Sequence, residues 1–419
     1  MIAFHYPPYF GSSGILRTLK FSQYLPENGW ECLLLTASPR AYAQSEAEAR
    51  KGAIPIPAGV TVTRTFALDA ARHLRVGGYY PSFLAMPDRW ISWWPSAVMN
   101  GRRLIEKLRP GVIWSTYPIA TTHLIANSLQ ARTRLPWVAD FRDSMTEENY
   151  PADPRRRRMY RSIERKAVEH AARVVFTTRG TAAMYRERYA QTPTARWTII
   201  PNGYDEENFS GLASPDLSKR HDGRLMLLHT GVLYPHERDP RAFFSALAQL
   251  KRNGTLSSSS VRIVFRATGH DEVIAPMLAS FDVADLVELA PSVPYTAALR
   301  EMQEADALLV FQAANSNHQI PAKAYEYMRA GRPILAITDP AGDTAELLRS
   351  AGIDTIARLD DAADIAARLG EFLQRVRAGA APIADRNVAI TYSRRSQAAQ
   401  LARLLDEVYA NRDIRANGA

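Results

Sequence analysis

Lys323 and Glu326 stand three residues apart in HQIPAKAYEYMRAGRPILAIT (318–338), where Ala322, Ala324, Tyr325, Tyr327, Met328 and Ala330 leave them one narrow polar stripe at helical spacing. A carboxylate can accept hydrogen bonds from both hydroxyls of a ribose. An ammonium near a helix N-terminus adds to a field that already favours phosphate oxygens. The plainer alternative is a solvated pair worth about 0.2–0.5 kcal/mol. A helix apolar over most of its circumference is largely buried, and this favours a charged pair that lines a cleft.

Other residues offer compatible chemistry. The loop Thr230-Gly231-Val232-Leu233-Tyr234-Pro235-His236-Glu237-Arg238-Asp239-Pro240 brings a glycine and a guanidinium fork to the start of a helix, a natural anion site; the alternative is an Arg238–Asp239 surface pair. Gly269 sits in a turn, Thr268-Gly269-His270, after a further strand. Gly11-Ser12-Ser13-Gly14 lies between an apolar run and a helix, without the spacing of a dinucleotide fingerprint. Asp140 and Asp143 follow the run Trp137-Val138-Ala139, past the carboxyl end of a strand, where open α/β sheets place ligands and where either could instead cap a helix. His123 is a further candidate beside a core or surface histidine.

The elements that must carry these groups alternate strand and helix. Pro321 at the start, Gly331 past the end and Pro333 beyond predict a helix over 321–330, followed by the strand Ile334–Ile337. Apolar runs at 1–6, 32–36, 60–66, 112–114, 137–139, 173–177, 197–200, 225–229, 261–267 and 307–311, with amphipathic stretches between many of them, predict parallel sheets covered by helices. Residues 210–223, SGLASPDLSKRHDG, read as a linker. Ala398, Leu401, Leu405 and Val408 form one stripe of a last long helix.

A chain of 419 residues suits two domains of about 200 residues. No apolar run reaches the roughly 18 residues of a membrane span, and Pro7-Pro8 interrupts the place of a signal core, so a cytoplasmic location is expected. The single Cys32 excludes an internal disulfide and a cysteine-rich metal site. Residues 1–210 hold 28 Lys and Arg against 18 Asp and Glu, residues 211–419 hold 24 against 25, and the densest block is Arg155–Arg158. Such a basic half suits nucleic acid, an anionic lipid surface or a phosphorylated substrate. Trp90, Trp93 and Trp94 near basic residues suit a membrane interface or interior packing.

PAKAYEYMRAGRPIL, IIPNGYDEENF, PWVADFRDS and the GxLY…RDP segment resemble the GT-B glycosyltransferases, in particular the family 4 type of bacterial polysaccharide assembly. The resemblance implies two Rossmann-like domains facing across a cleft: an acceptor-side domain over 1–209, a linker at 210–223, a donor domain over 224–392, and a helix at 393–419 crossing back to the first domain. It makes Glu326 the ribose ligand. Gly231, Arg238, Gly269 and Lys323 join it around the donor, and Gly11, Ser12, Ser13 and Gly14 line the cleft. His318 stands where the family often has a first glutamate. The resemblance raises Asp140, and more weakly His123, as acceptor or sugar contacts.

The implied reaction moves a sugar, with retention, from a nucleotide-diphosphate sugar to a glycan or polyprenyl-diphosphate-linked acceptor. Neither a cofactor nor a metal is expected, because cationic side chains and a helix N-terminus can neutralise the leaving diphosphate. A peripheral place on the inner membrane face fits the basic half, and no nucleic-acid partner is expected. Two rivals are a nucleotide-sugar epimerase of the same fold and a non-catalytic basic protein that binds membrane or nucleic acid.

Overall fold

Short apolar runs of four to six residues make strands when turns separate them from amphipathic helices, and in the computed structural model every named strand pairs parallel to its neighbours. The structure describes residues 1–8, 15–43, 55–75, 77, 80–212, 223–235 and 238–417. The chain divides into two units, Met1–Pro201 with Arg394–Ala419, and Asn202–Ser393.

In the first unit β1 (Leu33–Ala37) pairs with β2 (Thr61–Thr65). β3 (Ile113–Thr116), β4 (Trp137–Phe141), β5 (Arg173–Phe176) and β6 (Trp197–Ile199) follow in order. The first residues, expected as a strand over 1–6, contribute only bridges from Ile2 to Leu35 and Ser115, and these join the two sets into one sheet. Helices Trp93–Leu108, Ala120–Thr133 and Pro154–His170 contribute to one apolar core. A second core forms where Phe21 and Tyr24 of the helix Ile15–Tyr24 meet Ala398, Leu401, Leu405 and Val408 of the terminal helix Arg394–Asn417 over Trp114, Val138 and Val175. The terminal helix thus covers a face of the first sheet. Burying a leucine such as Leu401 contributes roughly 1.5–3 kcal/mol.

Trp90, Trp93 and Trp94 all pack against the first core. Trp93 is wholly buried and its indole donates to Thr65 Oγ1 at 2.8 Å; Trp94 donates to Ser128 Oγ at 2.9 Å and Trp90 packs on the same core. Trp93 is thus an interior residue, while Trp90 and Trp94 are half-buried at the edge of that core. Cys32 is buried too, and burial pushes its thiol up to about 11.

In the second unit six strands lie in the order β12-β11-β10-β7-β8-β9: β7 (Leu225–Thr230), β8 (Val261–Arg266), β9 (Val287–Ala290), β10 (Ala307–Phe311), β11 (Ile334–Ile337) and β12 (Ile356–Ala357). The order reverses between β7 and β10, which makes the carboxyl ends of these strands a topological switch point. The linker expected at 210–223 and the loop Gly11–Gly14 lie largely or wholly outside the described residues.

Asp140 is buried within β4 rather than beyond it. It accepts from Arg17 Nε at 3.0 Å, Arg17 Nη2 at 2.8 Å and Thr116 Oγ1 at 2.9 Å. Arg17 also donates to the carbonyls of Ile200 and Pro201, at 2.9 and 2.8 Å, and so pins the first long helix to the sheet's far edge. Removing one partner of a buried pair costs about 3–5 kcal/mol, because the other charge stays buried and uncompensated. Asp140→Ala is therefore expected to lower the unfolding free energy of this unit by that amount in urea titration, and Asp140→Leu with Arg17→Met to recover most of it. An Asp140→Ala protein as stable as wild type would show that the pair does not hold the unit together.

Candidate active site

The site-forming helix Ala322–Ala330 follows β10 and begins after Pro321. Gly331 closes it at φ 68°, a left-handed conformation that glycine adopts without strain. Ala324, Tyr325, Tyr327 and Met328 are buried in the core, while Lys323 and Glu326 are half-buried on the remaining stripe. The Tyr327 hydroxyl accepts from Thr230 N–H at 2.8 Å, which ties the helix to the end of β7.

Beside that tie the sheet opens. β7 and β10 pair at Leu227 with Ala307 and at Leu228 with Leu308. Next comes His229, wholly buried, whose Nδ1 lies 2.9 Å from the Leu309 carbonyl oxygen. A carbonyl only accepts, so Nδ1 carries the hydrogen and Nε2 keeps a bare lone pair. Lys323 Nζ lies 3.1 Å from that Nε2 and donates to it. Burial holds His229 well below the ordinary histidine range, helped by the charge on Lys323. The lysine is held down to about 7, first by burial and then by the positive Arg238, with Glu326 acting the other way.

Gly231, at φ 83°, begins the loop after β7, and a Cβ there would stand 3.4 Å from Lys323 Nζ. The absence of a side chain keeps this turn open in front of the ammonium. Gly269, at φ 72°, faces Val232 from the parallel turn after β8, and Leu233 N–H bonds to the Thr268 carbonyl at 3.0 Å. Arg238 stands in the loop that leads to the helix Arg241–Arg252, its guanidinium 5.9 Å from the Tyr234 ring centre. Asp239 pairs with Arg241 at 2.5 Å. One helix turn past Lys323, Glu326 Oε1 accepts from the Tyr295 hydroxyl at 2.6 Å. Burial and then the Glu326 charge push the tyrosine above its ordinary range, so it stays a donor.

The second unit thus gathers Gly231, Arg238, Lys323 and Glu326 about the carboxyl ends of β7 and β10, with Gly269 on the flank. It also supplies His229, Tyr295 and Tyr327. Composition marks His229 only as an odd member of LMLLHT: a histidine inside an apolar strand must find partners or stay neutral, and here it does both. His318 is half-buried beside Asn317, whose amide donates to Asp339 Oδ2 at 2.6 Å.

Asp140 and His123 belong to the interior of the first unit. His123 lies in the helix Ala120–Thr133, wholly buried, with Nδ1 2.8 Å from Ser115 Oγ and the rings of Tyr117, Trp137 and Phe141 around it. Burial holds it down to about 3, against the opposing pull of Asp140, so it is neutral. Among the described residues no group of three or more His, Cys, Asp or Glu could hold a metal ion, and no helix is long and apolar enough to cross a membrane.

Residues 16–203 match the family model described as a glycosyl transferase 4-like domain. No curated protein matches the chain. Solved structures are similar over nearly the whole length at low identity. Sucrose-phosphate synthase of Thermosynechococcus elongatus has 14% identity and a TM-score of 0.66, with 98% of each chain covered. HepE of Anabaena, solved with UDP and glucose, has 14% identity and a TM-score of 0.64, covering 97% of this chain and 98% of that one. WaaG, a glycosyltransferase involved in lipopolysaccharide biosynthesis, has 14% identity and a TM-score of 0.60, covering 96% and 98%. Two doubly wound units, the terminal helix returned to the first, give the chain the GT-B fold of these glycosyltransferases, and most of its first unit is similar to a glycosyl transferase 4-like domain.

Proposed function

We propose that the second unit binds a nucleotide-diphosphate sugar and that the chain transfers its sugar, with retention, to a glycan or polyprenyl-diphosphate-linked acceptor in bacterial surface polysaccharide assembly. The observation that carries the donor part is the placing of one ammonium against the Gly231 turn and one carboxylate a helix turn away, at the switch point of a parallel sheet. Glu326 accepts from the ribose hydroxyls. Lys323 and Arg238 face the diphosphate and neutralise the charge that grows on it as the sugar leaves, so no metal is required. Gly231 and Gly269 let the backbone approach closely.

HepE holds UDP and glucose, and this supports a uridine nucleotide as donor. The role of WaaG in lipopolysaccharide biosynthesis supports a surface glycan as product, and the family resemblance supports retention. The basic first unit is the proposed acceptor side: Arg155, Arg158, Arg161 and Lys166 of one helix are exposed, a face suited to lipid diphosphates at the inner membrane surface.

The donor reading is tested by thermal shift against UDP, GDP, ADP, CMP and dTDP. A ligand at a hundred times its dissociation constant stabilises the protein by about 2.7 kcal/mol. One nucleoside diphosphate is expected to do so, and Glu326→Ala and Lys323→Ala to lose most of the effect. Stabilisation by none of them would remove the donor site. For the acceptor side, co-sedimentation with phosphatidylglycerol vesicles is expected at low salt. It should weaken with added salt and with Arg155, Arg158 and Arg161 changed together to Gln. No association at low salt, with transfer to a water-soluble acceptor, would remove the membrane.

A further inference from the structure

Donor binding by Lys323, Glu326 and Arg238 leaves one buried polar group at the site without a task. His229 is an unusual choice for a strand interior. Leucine would fill the space, and the Leu309 carbonyl could be met by many donors. Its two nitrogens are used in opposite senses, Nδ1–H toward the Leu309 carbonyl and bare Nε2 toward Lys323 Nζ. The first bond fixes the ring and its tautomer, which makes the second acceptor obligatory. We propose that His229 is a positioning residue, whose Nε2 aims the Lys323 ammonium at the Gly231 turn so that the lysine meets an incoming diphosphate already oriented.

A lysine side chain has a flexible four-carbon stem, and it binds an anion better when its direction is set beforehand. A carboxylate in place of the imidazole would set it too, but would cancel the charge the diphosphate needs. A neutral imidazole orients without neutralising. The groups facing Lys323 are His229 on β7, Arg238 in the loop beyond it and Glu326 on its own helix. In the free protein its ammonium is held near pKa 7. A bound diphosphate raises that value, so binding takes up a proton. Affinity is then highest below about pH 7 and falls as pH rises above it, by up to about tenfold per unit.

This inference rests on the donor-site reading, and its test separates the two. UDP is titrated calorimetrically into wild type, His229→Leu, His229→Gln, Lys323→Met, the His229→Leu/Lys323→Met double variant and Lys323→Arg, from about pH 6 to pH 9. Another nucleoside diphosphate replaces UDP if it is the one that stabilises the wild type. The expectation is a loss of about tenfold or more in His229→Leu, with its decline in affinity moved to lower pH. His229→Gln should stay near wild type, since its amide can donate to Leu309 and accept from Lys323. The double variant should bind like Lys323→Met alone, and Lys323→Arg should lose the decline.

Wild-type-like affinity and pH profile in His229→Leu, or additive losses in the double variant, would overturn the positioning role while leaving the donor site intact. Failure of the wild type to bind any nucleoside diphosphate would overturn the donor site and this inference together. Should His229→Leu not fold, nitrogen-15 NMR of the wild-type imidazole decides. An Nδ1–H tautomer whose Nε2 resonance moves in Lys323→Met supports the role, and an Nε2–H tautomer ends it.

Discussion

The parting of β7 from β10 is the constraint from which the second unit's chemistry follows. At a switch point the connections leaving two neighbouring strands run to opposite faces of the sheet and leave a crevice at the carboxyl ends, and backbone groups unpaired there need other partners. Here the ladder stops after Leu228 and Leu308, and the His229 ring takes the Leu309 carbonyl. That substitution keeps the gap satisfied without closing it. The loop at Gly231 and the helix Ala322–Ala330 then rise on either side of an opening that their own sequences do not create.

Charge withdrawn from water is handled in two ways here. In the first unit, Arg17 and Asp140 meet as a fork on a carboxylate, with the guanidinium's remaining donors spent on Ile200 and Pro201. Glu164 is likewise buried under Arg188, Thr146, Tyr185 and Tyr189. Such sets are complete, and complete sets hold architecture. In the second unit, Lys323 has a neutral acceptor and a like charge, Arg238, as its neighbours. Asp140, wholly buried under its partners, has no surface to offer a substrate. An ammonium beside an imidazole has two further hydrogens to give.

The sequence made the helix at 321–330 legible because proline, glycine and a following proline mark its ends independently of tertiary context. The observed Ala322–Ala330 differs by one residue. The strands Ala307–Phe311 and Ile334–Ile337 were equally plain, being apolar runs bounded by turn residues. What local pattern could not reveal was sidedness. Asp140 looked like a group beyond a strand end because the apolar run Trp137-Val138-Ala139 stops before it, yet β4 continues through it to Phe141. Arg17, 123 residues away in sequence, makes that burial tolerable. Trp93 and Trp94 depend likewise on hydroxyls of Thr65 and Ser128 that no spacing connects to them. His229 was invisible as a functional group for the same reason: its meaning lies in Leu309 and Lys323, 80 and 94 positions away.

That long-range pairing also bears on why the stripe of Lys323 and Glu326 differs from an ordinary solvated helix pair. Two exposed charges three residues apart would be worth a few tenths of a kcal/mol and would satisfy one another. Here each turns to a different partner, Glu326 to the Tyr295 hydroxyl and Lys323 to His229. Their separation keeps a carboxylate and an ammonium from cancelling. Burial and the like charge of Arg238 both act against the Lys323 ammonium, and Glu326 supports it. The neutral imidazole of His229 gives that ammonium an acceptor without placing a counter-charge beside it.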